Sequence, residues 1–318
     1  MIPMVSDVLV AFGFAVLQAA GLLVLAPLLK TAIKKMKARL QNRQGPPLFQ
    51  GYYDLAKLLR KEPVRSETAS WVFVAGPRVY FGAAVAATTL VPVVVAAAPL
   101  ELAGGILLLV GTLALGRFAL ATAALDTGSA FGGMGASRDM TIAALAEPAL
   151  LLGLFTSALA AGSLNLGGLV RNVVQQGVAF HPSDLLAFAG LFMIVIAETG
   201  RIPVDNPATH LELTMIHEAM VLEYAGPDLA LVEWGSAVKE LLYLTLLVDL
   251  FMPIGIATTT APAAIAVALL AWAGKVLVLA MAVTITESTN AKLRLFRVPE
   301  LVSVSLGLAF LALAIRFL

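Results

Sequence analysis

The sequence predicts an all-α polytopic membrane helix bundle, about eight transmembrane helices plus one cytoplasmic amphipathic helix, as a single membrane domain over residues 1–318. Three observations predict it. Of 318 residues, 60% are hydrophobic and only 13% charged, and the mean hydropathy is +0.93, far above the balance of a soluble domain. The apolar residues fall into runs of roughly 20, each long enough when helical to cross a hydrocarbon core. The Lys and Arg residues are concentrated in alternate connections, as loops on one side of a membrane require.

The spans expected from these runs are 8–29, 79–98, 102–125, 141–161, 184–203, 237–257, 262–285 and 301–318. The first has no charged segment before it and no small-residue cleavage pattern, so it reads as a retained span and not a signal peptide. The loop at 30–78 holds 11 of the 21 Lys and Arg residues, among them Lys30, Lys34, Lys35, Lys37, Arg39 and Arg43. The connections around Pro99, at 165–182 and at 258–260 are nearly free of them, Arg171 excepted. The positive-inside rule therefore places 30–78 in the cytoplasm and both termini outside, in a multi-pass protein of a prokaryotic cytoplasmic membrane. Within that loop, 51–60 carries apolar residues at Tyr52, Leu55, Ala56 and Leu59, the spacing of a helix lying on the membrane surface. Its basic residues serve either as an anchor on anionic lipid or as the mouth of a ligand cavity. No internal repeat is visible, which argues against a repeat-built transporter.

Charged groups inside the spans are costly and mark function or compensation. Arg117, Glu147 and Glu198 fall roughly 8 to 12 Å from the cytoplasmic edge of their spans at ~1.5 Å per residue, so they share one expected polar layer. Asp249 and Lys275 lie deeper on neighbouring antiparallel spans, within reach of a lysine stem, and read either as a static salt bridge or as a protonation relay. The segment 198–226 packs Glu198, Asp205, Glu212, Glu218 and Glu223 with His210 and His217 into an otherwise apolar chain. Crowded, poorly solvated carboxylates gain protons more readily, and His titrates near neutrality, so this segment is the candidate proton path. Met215, Ile216, Met220, Val221 and Leu222 are interleaved with it, which suits a surface covered by a partner protein better than a free loop.

Several chemistries are excluded. There are no cysteines, so no disulfide, iron–sulfur cluster or thiolate metal site can be held by this chain. His181, His210, His217 and Glu218 form no HExxH pattern, and no metal site is expected. Gly132-Gly-Met-Gly-Ala136 reads as a connection between two membrane helices, not a strand-linked nucleotide loop, and no basic patch interleaved with stacking aromatics points to nucleic acid.

The loops carry a resemblance. Arg39-Leu-Gln-Asn-Arg-Gln-Gly-Pro46 with Gln50-Gly-Tyr-Tyr-Asp-Leu-Ala-Lys-Leu-Leu59 resembles the first loop of formate hydrogenlyase subunit 4 and hydrogenase-4 component C. So do Leu125-Asp-Thr-Gly-Ser-Ala-Phe131, Gly135-Ala-Ser-Arg138, Leu145-Ala-Glu-Pro-Ala-Leu-Leu-Leu-Gly153, the segment 198–226 and Glu287-Ser-Thr-Asn-Ala-Lys-Leu-Arg294. The same family is similar, more distantly, to subunit 1 of respiratory complex I, the NADH-quinone oxidoreductase, an eight-helix protein. The resemblance implies a non-catalytic subunit that anchors a hydrogenase-like oxidoreductase complex in the bilayer and couples its redox chemistry to proton or sodium translocation. It implies hydrogenase-like large and small subunits and antiporter-like membrane subunits as partners, with iron–sulfur clusters in those partners and none here, and it leaves open both a nickel–iron site in the large subunit and a bound quinone. By the same resemblance Arg43, Asp54, Lys57, Asp126, Arg138, Arg201, His210, His217 and Tyr224 belong to partner-contact loops. Glu198, Arg201, Asp205, Pro207, Glu212, Glu223, Tyr224 and Gly226 match the complex I pattern, whereas Ala208 and His210 replace two acidic positions. Those departures favour the hydrogenase-like branch over a complex I-type quinone site. A quinone-site subunit and a stand-alone ion transporter stay open as alternatives.

Overall fold

A lone charged pair or a glycine stripe decides helix register here, because apolar side chains gain nothing by leaving lipid for one another. The computed structural model describes residues 5–95 (side chains from 12), 105–176, 181–206, 215–257 and 261–317. Its helices are α1 Val5–Leu40, α2 Gln50–Leu59, α3 Trp71–Thr88, α4 Ile106–Asp126, α5 Ala130–Ala161, α6 Leu166–Gln176, α7 Pro182–Glu198, α8 His217–Val221, α9 Gly226–Phe251, α10 Pro262–Thr289 and α11 Val298–Phe317. Among the described residues there is no strand, only a parallel bridge between Val95 and Ala257.

Six of these helices, α1, α3, α4, α5, α10 and α11, are long and apolar enough to cross a membrane, so the chain is a polytopic all-α membrane bundle. The other two expected spans correspond to α7, which has 17 residues, and α9, which carries Asp228, Glu233, Lys239, Glu240 and Asp249. Helix α9 is the hub, packed against α1, α2, α3, α7 and α10. Every residue from Ala237 to Phe251 is buried, as expected of a helix at the centre of a bundle, and its Lys239, Glu240 and Asp249 are buried with the rest. Helices α5, α7 and α11 pack together on one side, and α3 and α4 on another.

Several boundaries move from their expected places. Helix α3 starts at Trp71, because the Ser70 hydroxyl accepts from Val72 N and Asp126 accepts from Ser70 N at 2.7 Å and Phe73 N at 3.2 Å. These caps satisfy free amides at the helix start, and Pro77 is then carried inside the helix. Glycines 132, 133 and 135 are not a connection; they lie in the first two turns of α5, which begins at Ala130 and not near 141. There a side chain is excluded: a Cβ on Gly135 would meet Ala219 Cβ at 2.9 Å and Ile216 O at 3.1 Å, so α8 rests directly on the α5 backbone. The amphipathic helix expected at 51–60 forms as α2, with Gly51 against Pro27 and Thr31 of α1. A second amphipathic helix, α6, was not foreseen, because the connection at 165–182 has few charges to mark its polar face.

Gly135→Val should push α8 off α5 and destabilise the chain by about 1–3 kcal/mol, the usual range for overpacking, whereas Gly133→Ala, whose Cβ meets nothing closer than 4.0 Å, should be neutral. Thermal denaturation of the two variants in detergent, compared with the parent, checks the contrast.

Candidate functional site: an ion-paired layer beneath a polar cavity

One end of the bundle encloses a cavity of about 510 Å³. Its basic wall comes from the end of α1 and the loop after it, with Lys30, Lys34, Lys37 and Arg43; its floor is formed by Arg117, Asp139, Glu198, Arg201, Lys239, Glu240 and Glu287. His217, Glu218, Met220 and Val221 of α8 close one side.

The floor holds two linked clusters. In the first, the Arg117 guanidinium of α4 donates to Glu147 of α5 at 2.9 Å and to Glu198 at the end of α7. Lys239 of α9 meets the same Glu198 carboxylate at 2.9 Å and the Tyr243 hydroxyl donates to it at 3.2 Å. Asp139 lies 3.8 Å from Arg117 Nε and 2.8 Å from His217 Nδ1. The expected layer of Arg117, Glu147 and Glu198 is thus present, with Asp139, Lys239 and Tyr243 added to it. In the second cluster, Arg201 donates to Glu240 and, at 3.2 Å, to Glu287, which also meets Lys37 at 3.2 Å.

The first cluster has an uneven charge. Arg117 and Lys239 supply two fixed cations against the three carboxylates Asp139, Glu147 and Glu198, so one further proton makes it neutral. Two groups at opposite ends can carry that proton: His217 on the cavity side, 28% exposed, and Glu147 on the other, 34% exposed and held by a single arginine contact. Burial disfavours the His217 imidazolium, but the Asp139 carboxylate outweighs it and raises the imidazole above its ordinary range. Nearby, burial first and Glu233 second push Glu218 upward. This is chemistry suited to moving a proton between a wet cavity and the bundle interior.

The remaining predicted residues are placed as follows. Asp205 is buried and fixed: it accepts from Ile216 N at 2.9 Å and His217 N at 3.2 Å and meets Lys292 at 3.1 Å, so it orients α8. Glu223 is exposed and does not line the cavity. Glu212 and His210 lie outside the described residues. Arg43 and Lys57 are exposed, and Asp54 accepts from Gln50 on the exposed side of α2. Arg138 donates to Met215 O at 2.9 Å, and Asp126 caps α3. Tyr224 is 4% exposed, stacks on Phe73 at 4.1 Å and donates to Phe73 O, an internal role where a partner contact was expected.

Two expectations are corrected. Met215, Ile216 and Met220 are covered by this chain itself, against α4 and α5, so no partner is needed to bury them. The Asp249–Lys275 salt bridge does not form. Lys275 Nζ donates instead to Met252 O at 2.8 Å and Ile254 O at 2.9 Å, because α9 stops at Phe251 before Pro253 and leaves carbonyls that need a donor.

Sequence reasoning missed Asp139 and Lys239. Asp139 lay two residues before one expected span and Lys239 only two residues inside another, and the Arg138-Asp139 and Lys239-Glu240 doublets were the available signal.

The His217–Asp139 pair makes stability depend on pH. With the folded imidazole raised, the pair's contribution is complete below the ordinary value of 6.5 and is lost as pH climbs through the raised folded value. Melting temperatures of the chain in native membranes should therefore fall across that window, and the step should vanish in His217→Gln. An identical profile in the variant counts against the pairing.

Among the described residues no group of His, Asp or Glu is arranged to hold a metal ion. The family model described as NADH dehydrogenase matches residues 12–317. The chain is 33% identical to formate hydrogenlyase subunit 4 of Escherichia coli (strain K12) over 94% of its own length and 96% of that protein's. It is 34% identical to hydrogenase-4 component C of the same organism over 76% of each. It is also 27% identical to NADH-ubiquinone oxidoreductase chain 1 of Chondrus crispus over 72% of its own length and 71% of that protein's. A protein in the structure of the membrane-bound sulfane sulfur reductase (MBS), an archaeal respiratory membrane complex, superposes with a TM-score of 0.82 over 96% of this chain and 99% of that one, at 18% identity, and so shares its fold. With a buried charge layer beneath a cavity and matches over nearly its whole length, the chain belongs to the NADH dehydrogenase family, as a membrane subunit related to those of formate hydrogenlyase, hydrogenase-4 and complex I-like complexes.

Proposed function

We propose that this chain is the anchoring and energy-coupling subunit of a hydrogenase-like complex, linking redox turnover in a hydrophilic arm to translocation of protons or sodium ions. The observation that carries it is the cluster of Arg117, Lys239, Asp139, Glu147 and Glu198, neutral with one proton, and reached from the cavity through His217. The formate hydrogenlyase relative matches over 94% of the chain, which supports the same type of partner: hydrogenase-like large and small subunits over the cavity and antiporter-like subunits in the bilayer. On this reading the redox centres belong to those partners. The eight helices α1, α3, α4, α5, α7, α9, α10 and α11 cross the cytoplasmic membrane, the cavity faces the cytoplasm and both termini lie outside.

Two chemical roles separate within the cluster. Glu198 is a fixed anion between two cations, so its loss leaves buried charge unpaired, at a cost of about 3–5 kcal/mol. Glu147 and His217 are the movable ends. Glu147→Gln should therefore assemble normally and keep dye-linked electron transfer, yet lose most ion translocation per turnover, while Glu198→Gln should lower the amount of assembled complex. Dye-linked activity, translocation and subunit yield measured on the same membranes decide between them. Normal translocation in Glu147→Gln would sink the path.

The topology has its own test. Cysteines at positions 60 and 218 should resist a membrane-impermeant maleimide in intact cells and react in inverted vesicles; labelling in intact cells reverses the orientation.

A quinone-site role is the second reading. A volume of about 510 Å³ is that of a small-molecule pocket, and Leu120, Met220, Val221 and Val232 give part of it an apolar lining. Turnover-dependent reduction of added quinone by the assembled complex would favour it.

A further inference from the structure

At the end of the bundle away from the cavity, two helices stop inside it. Helix α3 ends at Thr88 and α9 at Phe251, and the backbone of 89–95 and 252–257 continues without helix, joined by a hydrogen bond from Ala257 N to Val94 O. Val91, Val93, Pro253 and Ala257 in these segments are buried. The break lies deep in the membrane: Gln18, 12 residues from Lys30 on α1, donates to Thr88 O and Val91 O, and Lys275, 12 residues from Glu287 on α10, donates to Met252 O and Ile254 O. Twelve helical residues span roughly 18 Å. Unwound backbone at that depth persists only where protein covers it or where it borders a polar path, and carbonyl ends of broken helices are places where cations are held. Here the cation is the ammonium of Lys275.

One turn before the break lies Asp249, 1% exposed, with neither carboxylate oxygen in reach of a hydrogen-bond donor. Burying a carboxyl group without a hydrogen-bond donor is costly, which sets Asp249 apart from the ion-paired carboxylates of the cavity floor. Among the described residues, the charged side chain at this break is Lys275, held on the Met252 and Ile254 carbonyls. Thr245, a turn before Asp249 on α9, and Trp272, a turn before Lys275 on the antiparallel α10, are engaged with each other at 3.2 Å.

We propose that Asp249 and Lys275 form a proton-exchange site in which the lysine moves between two partners. In the state seen, a neutral Asp249 leaves Lys275 on the carbonyls of Met252 and Ile254. When Asp249 gives its proton to water, the O–H bond breaks and the electron pair stays on the carboxylate. Lys275, charged throughout, then swings to that carboxylate. Met252 is three residues past Asp249, about 4.5 Å along the helix, so the movement is within the length of a lysine stem. Lys275 is half-buried and Ile254 is 67% exposed, so this chain alone leaves the site uncovered on one side. Release of the carbonyls frees the end of α9, the hub of the bundle.

The test reads the carboxyl itself and is independent of whether the complex couples redox turnover to transport. Dicyclohexylcarbodiimide, an apolar reagent that adds to protonated carboxyl groups, is applied to native membranes holding the complete complex, and the peptide containing Asp249 is followed by mass spectrometry as pH varies. Asp249 should be modified at low pH and protected at high pH, with the modification absent in Asp249→Asn. In Lys275→Gln, which keeps a donor for the carbonyls but removes the cation, the midpoint should move upward by about one pH unit, tenfold in proton affinity. A midpoint equal to the parent's, or no modification at any pH, overturns the exchange. Should Lys275→Gln not assemble, the parent alone decides: a midpoint within the accessible range supports the site, and a flat profile refutes it.

Discussion

Glu198 is held by Arg117 from α4 and Lys239 from α9, with the Tyr243 hydroxyl as a third donor, and the other half of Arg117 reaches α5 through Glu147 and Asp139. Four helices are tied at one depth by this single carboxylate and its cations. In lipid, apolar faces slide past one another at little cost, whereas a charge pulled from its partner is left in a medium that cannot solvate it. The layer therefore sets the register of α4, α5, α7 and α9, and through Asp139 it also positions α8 over the cavity. The same burial that makes the layer structurally decisive makes its protonation state sensitive to what happens above it.

The first cluster and the Arg201 cluster differ in that respect. Arg201 faces Glu240 and Glu287, and Lys37 completes two cations against two anions. That group is balanced without a titratable proton and serves as a clamp between α1, α9 and α10. The Arg117 group lacks one positive charge, and among the described residues only there does a histidine stand at the cavity edge. On the proposed reading, that imbalance of one charge, placed between a wet cavity and a helix core, separates a proton carrier from a brace.

Much of this was legible before any coordinates. The fixed rise of a helix put Arg117, Glu147 and Glu198 at one depth from three boundaries alone, because errors of a few residues shift depth by only a few ångströms. Asp139 and Lys239 escaped since they were assigned to loop or membrane edge, and helix starts are where caps such as Ser70 and Asp126 overrule hydropathy. The static Asp249–Lys275 salt bridge failed for a different reason. Charge complementarity and depth were both right, but the early end of α9 offered Lys275 two carbonyls that no hydropathy pattern reveals. The density of Met215, Ile216 and Met220 signalled burial correctly, and the covering surface turned out to be the chain's own. Apolar pattern reports that a face is covered, never by what.

Helix α9 runs from the Arg117 cluster to the proposed exchange site at Asp249. Lys239 and Glu240 bound the cavity, Asp249 stands nine residues beyond Glu240, about 14 Å along α9, and every residue between them is buried. No described polar chain bridges that length, so a proton need not travel it for the ends to sense each other. A unit charge added to the cluster acts on Asp249 with about 1 kcal/mol at an effective dielectric of ~20, close to a tenfold change in proton affinity. That is small beside the cost of unpairing Glu198, which keeps the layer intact, and large enough to tip a carboxyl whose two forms are nearly balanced by a movable lysine. On the proposed reading, protonation at His217 favours release at Asp249 and deprotonation favours uptake, without a proton passing along α9.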